Sequence, residues 1–307
     1  MSPLIIVLIV IGSLLIVFFV AIALLYRNII YSPLKGQIND FDLQKSKNFQ
    51  GYEDALKQLI IKLMARPYED IYVQSFDKLK LHARFFENKG SNKYAILCHG
   101  YRGTAYRDFC GGANEAIEMG YNVILIDERA HGTSQGHSIT FGIREVQDLL
   151  SWVAYARNRF GQNIELALIG ISMGGATVLM AADKVGENVK IIADSPYSSP
   201  KIMLKETIRS IHLPVPIFYF LVNFTSILFA HTNLNKLSAY DSVKNTNNKI
   251  LIIHGNKDSV VNYKISEDLF KTYPDKIQYE LFDGADHGVS YLTDTERYQK
   301  IIRDFLI

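Results

Sequence analysis

Residues 164–180 read IELALIGISMGGATVLM. An apolar run, a glycine-rich turn and a second apolar run follow one another, and Glu165 is the only charged residue among them. The first run is short and rich in Ile and Leu, as a strand buried on both faces would be. The second reads as a buried helix. Between them, Gly170-Ile171-Ser172-Met173-Gly174 matches G-x-S-x-G in the strand–turn–helix setting that lifts a serine hydroxyl above a sheet. A Cβ at Gly170 or Gly174 would crowd such a turn. The amino end of the following helix would aim free N–H groups and a positive dipole at an anion forming beside Ser172. The pattern by itself is weak, since ordinary Gly and Ser frequencies produce it in roughly one chain of this size in ten. Its setting makes Ser172 the candidate nucleophile, with a purely structural turn as the other reading.

Outward from this stretch, short apolar runs recur: YAILCHG (94–100), NVILIDE (122–128), VKIIAD (189–194), KILIIHG (249–255) and IQYELFD (277–283). Helical patterns separate most of them, among them 141–161 and 264–274. Alternating strands and helices predict an α/β layer fold on a mostly parallel sheet. DIYVQSF and LKLHARFFE (70–76 and 79–87) predict a hairpin turning at Asp77-Lys78, and 52–65 predicts a helix ending before Pro67. In such a sheet, chemistry belongs in the loops at the carboxyl ends of the strands.

The informative residues fall there. A serine needs a base, and His287 follows the last strand in the polar loop DGADHGVSY. His99, His131 and His254 each stand in a His-Gly pair at a strand end, where packing explains them. His82 reads as structural and His137 as a solvated loop residue, while His212 and His231 could line a pocket. The base needs an orienting acid. Asp258, in IIHGNKDSVV, completes the order Ser…Asp…His. Asp194 is the rival acid. Asp127 reads as structural, fixing its loop by pairing with Arg129. Oxyanion donors are expected from the backbone N–H groups of Met173 and Tyr101.

HGYRG, DERAHGTSQG, GISMGG, HGNKD and DH, in that order, resemble the α/β-hydrolase superfamily, in its serine-aminopeptidase-like and monoacylglycerol-lipase-like branch. The likeness covers residues 68–307. It implies about eight strands with an early antiparallel one, a Ser–His–Asp hydrolase without cofactor or metal, and an insertion between strands six and seven that caps the site. Ester hydrolysis of the carboxylesterase and lipase type is the leading expectation. A serine peptidase or amidase is the alternative and would need a charged subsite, for which Arg102, Glu128 and Arg129 are available. A non-catalytic binding protein on the same fold is the alternative from another class.

The chain has 307 residues and a net charge of +2, with no basic block, so nothing points to nucleic acid. Its two cysteines, Cys98 and Cys110, lack metal-site spacing and read as buried apolar residues. Residues 4–25 are uncharged and apolar, about 33 Å as a helix, enough to cross a bilayer. A cleaved leader is the competing reading, since AIA at 21–23 imitates a cleavage site. The run is long for a leader, however, and MSP carries no cation. A single-pass anchor is expected, then a linker over 26–50 and the hydrolase domain over 51–307. Arg27, Lys35, Lys45 and Lys47 after the run favour a cytoplasmic domain. A second uncharged stretch, PVPIFYFLVNFTSILFA (214–230), is too short to span. It also lies between Ser172 and its partners, so crossing would divide them. It is expected to belong to a cap over 197–240, with Phe218, Phe220 and Phe224 lining a pocket for the apolar acyl part of a small or lipid-like ester; a helix simply packed in the core is the other reading.

Overall fold

The computed structural model describes residues 2–32, 39–42 and 47–307. The stretches 33–38 and 43–46, with Lys35 and Lys45 of the orientation argument, lie outside the described residues. Helix α1 (Pro3–Leu25) runs into one π-helical turn, Tyr26–Ile30. A 3-10 turn (Lys47–Phe49) and α2 (Glu53–Met64) precede the hairpin β1 (Glu69–Gln74) and β2 (Lys80–Phe86). Then come β3 (Lys93–Cys98), α3 (Ala105–Glu118), β4 (Asn122–Ile126), α4 (Glu145–Phe160), β5 (Glu165–Ile171), α5 (Met173–Met180) and β6 (Lys190–Asp194). The chain closes with α6 (Pro200–Ser210), α7 (Val215–Ala230), α8 (Ala239–Asn245), β7 (Ile250–Gly255), α9 (Lys264–Thr272), β8 (Ile277–Phe282), α10 (Ser290–Thr293) and α11 (Thr295–Leu306).

The eight strands form one sheet in the order β1-β2-β4-β3-β5-β6-β7-β8. Both antiparallel pairings involve β2, and every other pairing is parallel. Helices cover both faces, which is why the parallel strands are apolar throughout. On β3, Ile96 enters one core, with Leu168, Met173 and Trp152, while Ala95 and Leu97 enter the other, with Phe109, Phe282 and Ile302. We call these the first and second cores. Strand order reverses between β3 and β5, and there the loops after the two strands part to leave a crevice.

Two expectations need correction. The helix expected from residue 141 begins at Glu145. Phe141 and Gly142 take φ of 52° and 91°, outside the helical range, and the Glu145 carboxylate accepts the N–H groups of Thr140 and Gly142 at 2.8 and 2.9 Å. The expected linker is also too long, because residues 26–32 belong to the domain. Ile30 is buried, and Tyr31 bridges to Ser138. The Tyr101 hydroxyl donates to Ile29 O at 2.8 Å, and Arg102 Nη2 donates to the carbonyls of Asn28 and Tyr31. Carbonyls at a helix end need such partners, and the loop after β3 supplies them.

Candidate active site

Ser172 sits where β5 turns into α5. Its φ of 55° and ψ of −113° are strained for a residue with a Cβ. Its N–H donates to Asp194 O at 2.8 Å, which pins the turn to β6. The flanking glycines are obligatory on steric grounds. A Cβ on Gly170 would lie 2.2 Å from the Gly174 backbone, and one on Gly174 would lie 1.8 Å from Cys98 O.

His287 reaches Ser172 from the loop after β8, its Nε2 2.9 Å from Ser172 Oγ. Its Nδ1 lies 2.7 Å from Asp258 Oδ2. The structure thus brings Ser172, His287 and Asp258 together. The Asp258 side chain is fully buried, and its Oδ1 accepts the N–H groups of Val260 and Val261 at 2.9 and 2.7 Å. Burial pushes the Asp258 carboxyl up, but hydrogen bonds with His254 and His287 outweigh it and hold it well below the usual carboxylate range. Burial likewise opposes charge on His287, yet the Asp258 hydrogen bond and charge raise it above its ordinary 6.5.

His254 does more than pack at its strand end. Its Nε2 lies 3.0 Å from Asp258 Oδ2, and its Nδ1 lies 2.7 Å from Ser266 Oγ, so it braces the acid. The rival acid Asp194 has other partners, accepting from Tyr298 Oη and Ser195 Oγ, each at 3.0 Å. Ser195 Oγ in turn accepts the Gly288 N–H at 3.1 Å, so Asp194 supports the loop that carries His287. Neither Ser195 nor Tyr298 has a sequence signature of this role.

The loop after β3 is held from below. Asp108 Oδ2 accepts the Gly100 N–H at 3.0 Å, and His131 Nε2 accepts the Arg102 N–H at 3.0 Å. His99 Nε2 accepts the Glu128 N–H. Burial lowers both histidines, and His131, with His99 beside it, falls to about 3. Neutral rings can accept these bonds. The amides of Tyr101 and Met173 donate to no group among the described residues and remain free to serve the crevice. Asp108 is a residue that sequence reasoning missed.

Asp127 does not pair with Arg129, which corrects the expectation. It bonds His82 Nδ1 at 2.8 Å and Arg84 Nη1 at 3.1 Å, both from the neighbouring strand β2. Arg129 turns to Asp148 and Asp77 instead. Glu128 and Arg129 are both buried away from the crevice, and Arg102 is committed to the carbonyls of Asn28 and Tyr31. Cys98 and Cys110 are free buried thiols.

A cavity of about 280 Å³ opens beside Ser172 and His287. It runs through the second core, between α2, α3 and α11, past Phe49, Leu56, Leu59, Phe109, Ile302 and Leu306. None of its lining residues comes from 197–240. The expected pocket residues Phe218, Phe220 and Phe224 are therefore elsewhere. Helices α6 and α7 pack against the first core, on the opposite face of the sheet. Phe218 packs there, Phe220 is exposed, and Phe224 meets Phe18 of α1 at 6.1 Å between ring centres. His212 and His231 are exposed and do not line the cavity either. The wall expected of the cap is made by residues 48–59, before the sheet begins. Asn48 Nδ2 donates to His287 O at 2.8 Å and ties this wall to the loop that carries His287.

Comparison with known proteins agrees with this architecture. A family model described as the alpha/beta hydrolase fold matches residues 96–212. The esterase Pf2001 of Pyrococcus furiosus superposes with a TM-score of 0.64 at 22% identity, over 80% of this chain and 91% of that one. Est1E of Butyrivibrio proteoclasticus, solved with ferulic acid bound, gives a TM-score of 0.59 at 21% identity, over 77% and 99%. The uncharacterized protein YqkD of Bacillus subtilis is 24% identical over 218 residues, 69% of this chain and 70% of its own length.

Proposed function

We propose that this chain, which has the α/β-hydrolase fold, is a membrane-anchored serine hydrolase that cleaves carboxylic esters with an apolar acyl part. The observation that carries the reading is the hydrogen-bonded series Asp258–His287–Ser172 at the mouth of an apolar cavity. Ser172 Oγ attacks the acyl carbonyl carbon while His287 Nε2 takes its proton. Asp258 holds the imidazole tautomer and stabilises the imidazolium. The tetrahedral oxyanion is met by the N–H groups of Tyr101 and Met173, each worth about 3–4 kcal/mol of barrier. His287 then protonates the departing alkoxide, and water deacylates the serine by the reverse sequence.

An ester fits better than a peptide because Arg102, Glu128 and Arg129, the charges a peptidase subsite would draw on, are committed elsewhere. The esterases among the structural neighbours point the same way. Retention of α1 as an anchor is supported by Ile22, which is buried, and by Phe18, which meets Phe224 of α7, since a leader cut at 21–23 would carry both away. In the sequence, Arg27, Lys35, Lys45 and Lys47 after the run favour the cytoplasmic side.

Fluorophosphonate labelling tests the mechanism, and paired substrate series test the class. Wild type should label and hydrolyse nitrophenyl esters in preference to aminoacyl anilides, while Ser172→Ala should do neither and keep its fold. Undiminished turnover by Ser172→Ala overturns the mechanism. Preference for the anilides overturns the ester class.

A further inference from the structure

Helix α7 is built the wrong way round for water. A helix packed on a soluble domain buries its apolar stripe and exposes its polar one. Here Thr225 is 0% and Ser226 1% exposed, while Ile217 is 59% and Phe220 61% exposed. The exposed stripe continues through Ile227 and Leu228. Two polar side chains of α7 bond to the segment that follows it, while the buried Thr225 and Ser226 hydroxyls have no hydrogen-bond partner among the described residues. Tyr219 Oη donates to Asn235 at 3.0 Å, and Asn223 Oδ1 accepts the Leu234 N–H at 2.8 Å. Helix α7 carries no charged side chain. Contiguous exposed apolar surface of this kind marks an interaction site.

What covers it is indicated by its neighbour. Helix α7 packs along α1, the one described helix long and apolar enough to cross a membrane. Phe224 meets Phe18, and Phe229 meets Tyr26 at 4.8 Å between ring centres. Phe18 lies eight residues before Tyr26, about 12 Å further along α1. With Tyr26 near the membrane surface, Phe18 is well inside a hydrocarbon layer about 30 Å thick. Phe224 shares that depth because it touches Phe18, and Phe220, one turn on, stacks against Phe224.

We infer that α7 is immersed beside α1 in the same bilayer, its outer stripe of Ile217, Phe220, Ile227 and Leu228 covered by lipid acyl chains. The inference rests on reading α1 as a retained span. The domain is then held by two helices rather than hung from one. The end of the first is gripped by Tyr101 and Arg102, so the oxyanion loop sits directly against the membrane-proximal turn.

The test uses the full chain in nanodiscs whose lipids carry bromine on their acyl chains. The single native tryptophan, Trp152, is buried and gives a constant background. Phe220→Trp reports on α7, Val10→Trp on α1, and Ile61→Trp on α2 at the exposed back of the domain. Brominated lipid should remove more than half of the added emission for Val10→Trp and for Phe220→Trp, and leave Ile61→Trp unchanged. Quenching of Val10→Trp with none of Phe220→Trp overturns the inference and leaves the anchor standing. A Phe220→Trp signal shielded from both lipid bromine and aqueous iodide overturns it in favour of a protein on that face, such as a second copy. Loss of quenching at Val10→Trp as well removes the anchor reading, and the inference falls with it.

Discussion

Helix α7 and the segment 48–64 are both apolar additions to the same sheet, and they serve opposite ends. Helix α7 lies between Ser172 and Asp258 in sequence yet packs on the first core, with Phe224 and Phe229 against α1 and the turn that follows it. The segment 48–64 lies far from either in sequence, yet Phe49, Leu56 and Leu59 wall the cavity beside Ser172. Position in the chain therefore does not say which addition shapes the cavity beside Ser172. The face of the sheet does. Among the residues that belong to either core, those lining the cavity come from the second, with α3 and α11, and only Tyr101 of the described residues reaches it from the first.

The sharpest way to break this comparison is to fill the cavity from the α2 side. Leu59→Trp puts a bulky ring where an acyl chain would lie. Differences of a few methylenes in an apolar pocket change kcat/KM by roughly 10–200-fold. Leu59→Trp should therefore lower the ratio of long-chain to acetate ester turnover by about 10-fold or more, with acetate hydrolysis nearly retained. Leu59→Ala, which enlarges the same space, should keep or raise that ratio. A series of nitrophenyl esters of increasing chain length measures both. Equal loss on all chain lengths would place the acyl site somewhere other than this cavity.

Asn48 tests the same wall at smaller scale. Its amide donates to His287 O, and losing one such bond costs about 1 kcal/mol, roughly a 5-fold fall in kcat/KM. The pH profile separates positioning from chemistry. In the proposed mechanism His287 is the base and works only when neutral, and Asp258 raises its pKa above 6.5. Activity should therefore be full at high pH and be lost as pH falls through a midpoint above 6.5. Asn48→Ala should lower the plateau and leave that midpoint in place, since Asp258 still sets it. A midpoint moved by Asn48→Ala would mean that the wall tunes the base rather than positions it.

The legible part of the molecule is the part written in local signals. The strands show as apolar runs because both faces of the sheet are covered. Ser172 shows because its strained turn demands glycine at 170 and 174, where a Cβ would meet backbone. Asp258 and His287 show because each follows a strand end in a polar loop. What stayed hidden depends on packing between distant residues. Asn48 and His287 are 239 positions apart, and nothing near either announces the contact. Asp127 was matched to Arg129 by proximity in the chain. In the sheet it faces His82 and Arg84 across the β2–β4 pairing, and Arg129 points away to α4. The four apolar rings of α7 did signal an apolar surrounding. Composition could not distinguish a substrate's acyl chain from a bilayer, because both solvate Phe alike.

The smallest expected effect is therefore the one that separates the two regions most cleanly. Phe220→Asp places a charge on the exposed stripe of α7, on the face of the sheet away from the cavity. Assayed in detergent with soluble esters, an exposed substitution far from the site is worth within about 0.5 kcal/mol, or roughly twofold. The ratio of long-chain to acetate turnover should stay within that bound, where Leu59→Trp shifts it 10-fold. A charge buried in lipid is a different matter, so the same variant should reconstitute poorly into nanodiscs while remaining active in detergent. A long-chain defect in detergent comparable to that of Leu59→Trp would return Phe220 to the substrate pocket and undo the division between the two faces.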